Sequence, residues 1–269
     1  MSNILELKTS QTTTIKTIMD TINSLILDAN FVFYPKTNDS SGGLVIKEVT
    51  KTGKILIHLK INADKFEYYN YNYDKQKLVL GIDMTSLCKY LKCISNFDTM
   101  SWILDEDDIN KLIIILESND KKERKKIKMN LMDLEQENYD IAPIQFSYSI
   151  TLPSNDFHKY CKDMLISADK MEIRITPTKL YLSGKGDCGD IEFEIEQTTN
   201  GLNIISATDN KNDIIQGLFE LKFLLIFAKC SSLSNFITLY MKNDYPIIVV
   251  YKIHNLGEIK LILSPTKII

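Results

Sequence analysis

LCKYLKCISNFDTMSWIL, Leu87–Leu104, decides the fold, because a second stretch follows the same plan: LLIFAKCSSLSNFITLYM, Leu224–Met241. In each, a helical run ends at Lys-Cys, a serine-containing turn follows, and a β-like run begins. Working outward, Thr13–Leu27 corresponds loosely to Asn155–Ile166, with Lys16 matching Lys159. Self-similarity of this kind predicts two related halves. The midpoint falls in KKERKKIKMNLMDLEQENYDIAPIQ, Lys121–Gln145, where a dense basic run turns acidic within a few residues.

Four stretches carry helical spacing: Thr13–Leu27, Met84–Cys93, Asn155–Ile166 and Leu218–Cys230. Ser154 and Asp156 are the expected N-cap residues of the third. Elsewhere the chain is rich in short β-like runs, among them KILIHLKI, KLVLGI, KLIIIL, KMEIRI, DIEFEIE and PIIVVYKI. They alternate or are β-branched, and turn residues separate them. Few helices among many antiparallel-looking strands predict an α+β fold rather than an alternating βαβ one.

The 269 residues suit one large domain or two medium ones, and 44% hydrophobic with 25% charged residues is ordinary for a globular chain. No run approaches the ~18 unbroken apolar residues of a membrane span, so no membrane partner is expected. The start, MSNILELKTSQTTT, lacks the basic-then-apolar shape of a signal peptide, and an intracellular protein is expected. Cys88, Cys93, Cys161, Cys188 and Cys230 form no CxxC pair and read as reduced thiols. A net charge of −3 argues against a wholly basic surface but leaves room for a local basic face.

Several motifs invite a catalytic reading. GKGDCG, Gly184–Gly189, fits G-x-G-x-x-G, but a dinucleotide site needs a helix after the glycines, and here the strand-like DIEFEIE follows. A hairpin turn is expected instead. DEDD, Asp105–Asp108, could suggest a two-metal nuclease, whose carboxylates converge from separate elements; these are consecutive and read as a hairpin tip. His58, His158 and His254 have no metal-ligand spacing, and there is no Walker A pattern. No catalytic residue, metal or cofactor is therefore assigned.

Lysines on the helices follow a pattern. Lys89 and Lys92 are three apart, as are Lys159 and Lys162, while Lys222 and Lys229 are seven apart, so each pair shares a helical face. Lys16 lies on the first helix. By spacing alone these are solvated charges on amphipathic helices or a ligand-facing stripe.

The chain resembles the proliferating cell nuclear antigen family of sliding DNA clamps over nearly its whole length. The resemblance rests on LKC (Leu91–Cys93), KMNLMDLE (Lys128–Glu135), LPSNDFHKYCKD (Leu152–Asp163) and VVYKIHNLGEIKLILSPTKI (Val249–Ile268), taken in order. It implies a non-enzymatic head-to-tail homotrimeric ring, helices inside and sheets outside, that encircles double-stranded DNA without sequence preference. It also implies DNA polymerase and other short-motif binding proteins as partners, a clamp-loader ATPase, and a nuclear or viral replication site. The implied layout is an N-terminal clamp domain over 1–130, an interdomain connector over 131–148 and a C-terminal clamp domain over 149–269. By the family pattern Lys16, Lys89, Lys92, Lys159, Lys162, Lys222 and Lys229 face the hole. Lysines suit a slider, since they contact phosphate as point charges and read no bases. Two other readings stay open: a clamp-fold subunit of a checkpoint or transcription complex, and the metal-dependent nuclease.

The resemblance also divides Lys121–Gln145. The run before the connector matches an edge strand at the subunit boundary, and DIEFEIE matches its partner. Strand period puts Arg124, Lys126 and Lys128 on one face, with Ile127 on the other; it separates Glu192, Glu194 and Glu196 from Ile191 and Phe193. Two unlike, complementary patches are what a head-to-tail ring needs. A localisation signal, a DNA patch and a solvated strand are the other readings of the basic run. In the connector, Leu134, Tyr139 and Ile141, with Val49, Pro246, Ser264 and Pro265, match residues around a hydrophobic pocket for a partner's short helix.

Overall fold

The computed structural model describes residues 3–136, 144–207, 214–253 and 256–266. They divide into two units: Met1–Thr50, Ile57–Tyr139 and Asn255–Glu258 in the first, and Lys51–Leu56, Asp140–His254 and Ile259–Ile269 in the second.

The first unit contains β1 (Asn3–Thr9), α1 (Thr12–Asn23), β2 (Asp28–Tyr34), β3 (Gly43–Val49), β4 (Ile55–Asn62), β5 (Tyr68–Tyr71), β6 (Leu78–Asp83), α2 (Met84–Leu91), β7 (Thr99–Asp105), β8 (Lys111–Ser118) and β9 (Glu123–Asn130). The second contains β10 (Tyr148–Pro153), α3 (Ser154–Met164), β11 (Lys170–Ile175), β12 (Lys179–Gly186), β13 (Gly189–Glu196), β14 (Asn203–Ser206), β15 (Ile215–Glu220), α4 (Leu221–Ala228), β16 (Phe236–Met241), β17 (Ile247–Ile253) and β18 (Gly257–Leu263).

The strand orders repeat. The first unit has neighbours β5-β1-β7-β8-β9 and β4-β3-β2-β6; the second has β14-β10-β16-β17-β18 and β13-β12-β11-β15. Replacing each strand of the first unit by the one nine places later converts one description into the other. The faint repeat of the sequence is therefore a duplication of a whole α+β unit.

Each helix folds because its apolar residues fall on one stripe. Helix α1 buries Ile15, Ile18, Met19 and Ile22, and α3 buries Phe157, Cys161 and Met164. Each such Ile, Met or Phe side chain contributes about 1.5–3 kcal/mol when fully buried. Helix α1 packs against α2 in the first unit, and α3 against α4 in the second. Under them lie alternate residues of the strands: Leu5 and Leu7 of β1, Phe31 and Phe33 of β2, and Trp102 of β7 are at most 1% exposed. The corresponding core of the second unit includes Tyr148, Ile150, Phe219 and Tyr251, and the rings of Phe31 and Trp102 meet at 5.9 Å in the first.

Three helix-end expectations need correction. Helix α1 stops at Asn23, not Leu27, where Ser24 turns its hydroxyl back onto the Asp20 carbonyl at 2.9 Å. Leu218–Glu220 is the end of β15; the apolar run LFELKFLLIFA has no period that separates strand from helix. Pro153, not Ser154 or Asp156, occupies the N-cap of α3, and Ser154 is fully buried inside the helix with its Oγ unpartnered among the described residues. Strands β1, β2, β3, β5, β10, β14, β15 and β18 add to the β-like runs read from the sequence.

Both tempting motifs are hairpins. DEDD links β7 to β8, with the Asp107 amide donating to Asp105 Oδ1 at 3.1 Å. GKGDCG joins β12 to β13, Gly186 opposite Gly189. Its glycine answers a steric demand: a Cβ on Gly186 would lie 1.5 Å from the Ser167 carbonyl oxygen.

Candidate nucleic-acid interface and partner surfaces

The helix lysines fall into two groups. Lys89 on α2, Lys92 just past its end, Lys159 and Lys162 on α3, and Lys229 just past the end of α4 are exposed, and none has an ion pair among the described residues. Lys16 and Lys222 are neutralised within the chain. Lys16 Nζ lies 3.2 Å from Asp20 Oδ2, one turn on. Lys222 Nζ lies 2.8 Å from Glu220 Oε2 and 4.7 Å from the Phe223 ring centre. Glu220 also holds Lys54, and these two lysines, Lys222 first, keep its carboxyl below the usual range. Sequence spacing treated the seven lysines alike; the structure leaves five with uncommitted charge among the described residues.

Beside Lys16 and Lys92, burial pushes the Cys88 thiol up to about 12, and neighbouring Asp20 adds to the rise. It is a packing group held as the thiol.

Strand β9 ends the five-stranded sheet of the first unit, hydrogen-bonded to β8 alone among the described strands. Ile127 and Met129 are buried, and Arg124, Lys126 and Lys128 are exposed on the opposite face. Arg124 Nε reaches Glu117 Oε1 at 3.4 Å, a carboxylate shared with Lys8 at 3.0 Å. Lys126 and Lys128 have no ion pair among the described residues; they stand across from Ile115 and Ile113, whose burial their methylene stems can assist.

Strand β13 ends the four-stranded sheet of the second unit. Ile191, Phe193 and Ile195 are half-buried, and the Phe193 ring rests 4.9 Å from that of Tyr160 on α3. Glu192, Glu194 and Glu196 are exposed on the other face. Each has a counter-ion further in. Lys179 of β12 binds both Glu194 and Glu196, the latter at 2.9 Å, and Arg174 Nη2 of β11 lies 4.0 Å from Glu192. Arg174 is anchored in turn over the Tyr181 ring at 4.4 Å. The sequence reading missed Lys179 and Arg174. The signal was there, since a turn centred on Asp187–Cys188 sets Lys179 opposite Glu196.

Residues 131–136 form a strap on the first unit. The Met132 amide donates to the Gly81 carbonyl at 2.9 Å, Asn30 Nδ2 to the Glu135 carbonyl at 3.1 Å, and Lys77 Nζ to Gln136 Oε1 at 3.0 Å. Gly81 is required there: a Cβ would stand 2.2 Å from the Met132 oxygen. Leu134 and Val49 are half-buried in the first unit; Pro246, Ser264 and Pro265 are half-buried in the second. Tyr139 and Ile141 lie outside the described residues. The Ser264 amide donates to the Lys54 carbonyl at 3.0 Å, which fixes the start of the Ser264–Pro265 segment. Phe146, just before β10, packs on Tyr240 with ring centres 5.8 Å apart; this aromatic pair was not singled out from sequence.

A duplicated unit of two packed helices over antiparallel sheets, with unlike open edges on its two copies, is the architecture of a DNA clamp. Family models agree: the N-terminal domain of proliferating cell nuclear antigen matches residues 4–138, and its C-terminal domain matches residues 140–266. The chain belongs to the proliferating cell nuclear antigen family, one of non-catalytic processivity factors. It is similar to a probable DNA polymerase sliding clamp of Acanthamoeba polyphaga mimivirus, 27% identical over a 296-residue alignment. That alignment takes in 98% of this chain and 62% of the relative, so the chain spans under two thirds of the relative's length.

Proposed function

We propose that the protein is a sliding clamp: three copies close head to tail around duplex DNA and hold a polymerase, and other replication and repair proteins, on the template. The match of both clamp domains, end to end along the chain, carries this reading. Lys89, Lys92, Lys159, Lys162 and Lys229 supply the charge that faces the DNA, with smaller contributions from Lys16 and Lys222. Point-charge contacts to phosphate release counterions without reading sequence, which permits sliding. The clamp performs no chemistry of its own, and a loader ATPase opens it, since a closed ring cannot thread onto DNA without ends.

Closure joins β9 of one copy to β13 of the next. Client proteins dock a short helix with aromatic anchors on the stretch around Leu134. The relative's source, a large DNA virus, favours a viral replication site as the place of action.

Topology-dependent retention tests the proposal. Protein threaded onto linear DNA should stay when both ends are then blocked by bulky adducts, and run off when they are free. Equal retention on blocked and free DNA contradicts encirclement.

A further inference from the structure

We infer that Lys179 is an internal competitor that weakens ring closure and makes it sensitive to salt. This rests on the reading of β9 and β13 as the closing edges, and it concerns how readily they close.

The two edges are unlike in how far their charge is already spent. On β9, Lys126 and Lys128 have no ion pair among the described residues, while Arg124 leans on a carboxylate of its own sheet. On β13 the three outward glutamates are already engaged. One ammonium, Lys179 Nζ, sits between Glu194 and Glu196, and Glu196 is held below the usual carboxylate range by that same lysine. Arg174 approaches Glu192 more distantly, at 4.0 Å.

An antiparallel junction with the outward faces matched sets Arg124, Lys126 and Lys128 of one copy against Glu196, Glu194 and Glu192 of the next. Two of those three carboxylates then lie between a partner's cation and Lys179. Lys179 and the incoming lysine repel one another across the shared oxygens, so part of the attraction across the junction is cancelled before it forms. All the groups involved are partly solvated, where salt screens charge over roughly 8 Å. The net attraction is thus the small difference between two screened terms, and it falls as salt rises.

The occupant of the β13 edge is a second copy of this chain, since β9 is the strand of this protein with complementary charge and an open row of backbone groups. A basic segment of a foreign protein is the competing occupant.

The test is sedimentation equilibrium on the full chain over a salt series, for wild type, K179M, K179R and the double variant K179M/K126M. Removing one competing cation should tighten closure about 1.4- to five-fold at each junction near 0.1 M salt, the span of a cross-strand charge pair. K179R, which keeps the charge, should match wild type. In the double variant, which also lacks a β9 cation, the gain should shrink. Circular-dichroism spectra matching wild type confirm that the variants are folded.

Looser or unaltered association of K179M, with wild type still forming trimers, overturns the inference and leaves the ring intact. Wild-type protein that stays monomeric at every salt and protein concentration overturns the ring reading and this inference with it. Trimers equally stable from low to high salt overturn the inference alone.

Discussion

In the first unit the outermost strand β9 offers Arg124, Lys126 and Lys128; in the second the outermost strand β13 offers Glu192, Glu194 and Glu196. Their counterparts in the duplication carry no such sorting. Strand β18, which corresponds to β9, alternates Glu258, Lys260 and Ile262 with its buried residues, and β4, which corresponds to β13, alternates Leu56, His58 and Lys60. One ancestral strand order has thus been kept while charge was segregated by sign on two edges. Segregated edges reject like copies of themselves and accept each other, which gives direction to an assembly.

The largest effect should come from erasing that contrast. Reversing Arg124, Lys126 and Lys128 to Glu places two acidic edges face to face, and the proposed trimer should give way to monomer in sedimentation velocity. A companion reversal of Glu192, Glu194 and Glu196 to Lys in the same chain should restore assembly. An unchanged trimer in the first variant would sink the β9–β13 junction.

Next in size are the glycines that the two units use at different places. Gly186 backs onto the Ser167 carbonyl in the second unit, and Gly81 onto the Met132 carbonyl in the first. Forcing a methyl into either site should lower stability by about 1–3 kcal/mol, read by chemical denaturation. The smaller gap at Gly186 predicts the larger loss for Gly186→Ala. Gly81→Ala should additionally loosen the strap formed by residues 131–136, seen as faster amide exchange at Met132. Unaltered exchange there would show that the strap is held by its other bonds, from Asn30, Lys77 and the Leu131 amide to the Asn110 carbonyl.

The helix pairs separate on salt dependence. Replacing Lys159 and Lys162 by Ala should flatten the dependence of DNA affinity on salt by about one unit of slope for each lysine that meets a phosphate. Replacing Lys16 and Lys222 should flatten it less, because Asp20 and Glu220 already answer their charge. Equal slopes for the two double variants would put all four lysines in one class.

The smallest effect concerns the starts of α2 and α4. Asp83 caps α2 by accepting from the Ser86 amide at 2.7 Å, whereas Glu220 at the same place in the duplicate makes no cap and binds Lys222 and Lys54 instead. Its carboxyl is lower in the folded chain than in the unfolded one, so its stabilisation is full above the ordinary carboxylate range and is lost as pH falls through the lowered value. Denaturation of Glu220→Gln and wild type should diverge at neutral pH and converge at acid pH. A gap that persists in acid would assign the effect to something other than charge.

The repeat of one unit was legible in the Lys-Cys-turn-strand pattern, because helix ends and the strands that follow are local features. The faces of β9 and β13 followed from alternation. Ion-pair partners such as Lys179 and Glu220 were not seen, because they depend on cross-strand register and on side chains that meet only once separate elements have folded together. The boundary between β15 and α4 was hidden by an unbroken apolar run. Half-buried Leu134 and Val49 fall in one unit and Pro246, Ser264 and Pro265 in the other, a division that needs the fold and not the order of residues.

Whether the protein works as a closed ring is decided by sedimentation equilibrium at moderate salt, with electron microscopy of the same sample. A clamp should give a species of three times the 30.9 kDa chain mass, with three-fold symmetry and an open centre. Monomers across the accessible concentration range, or a closed particle with no central hole, would rule the ring out.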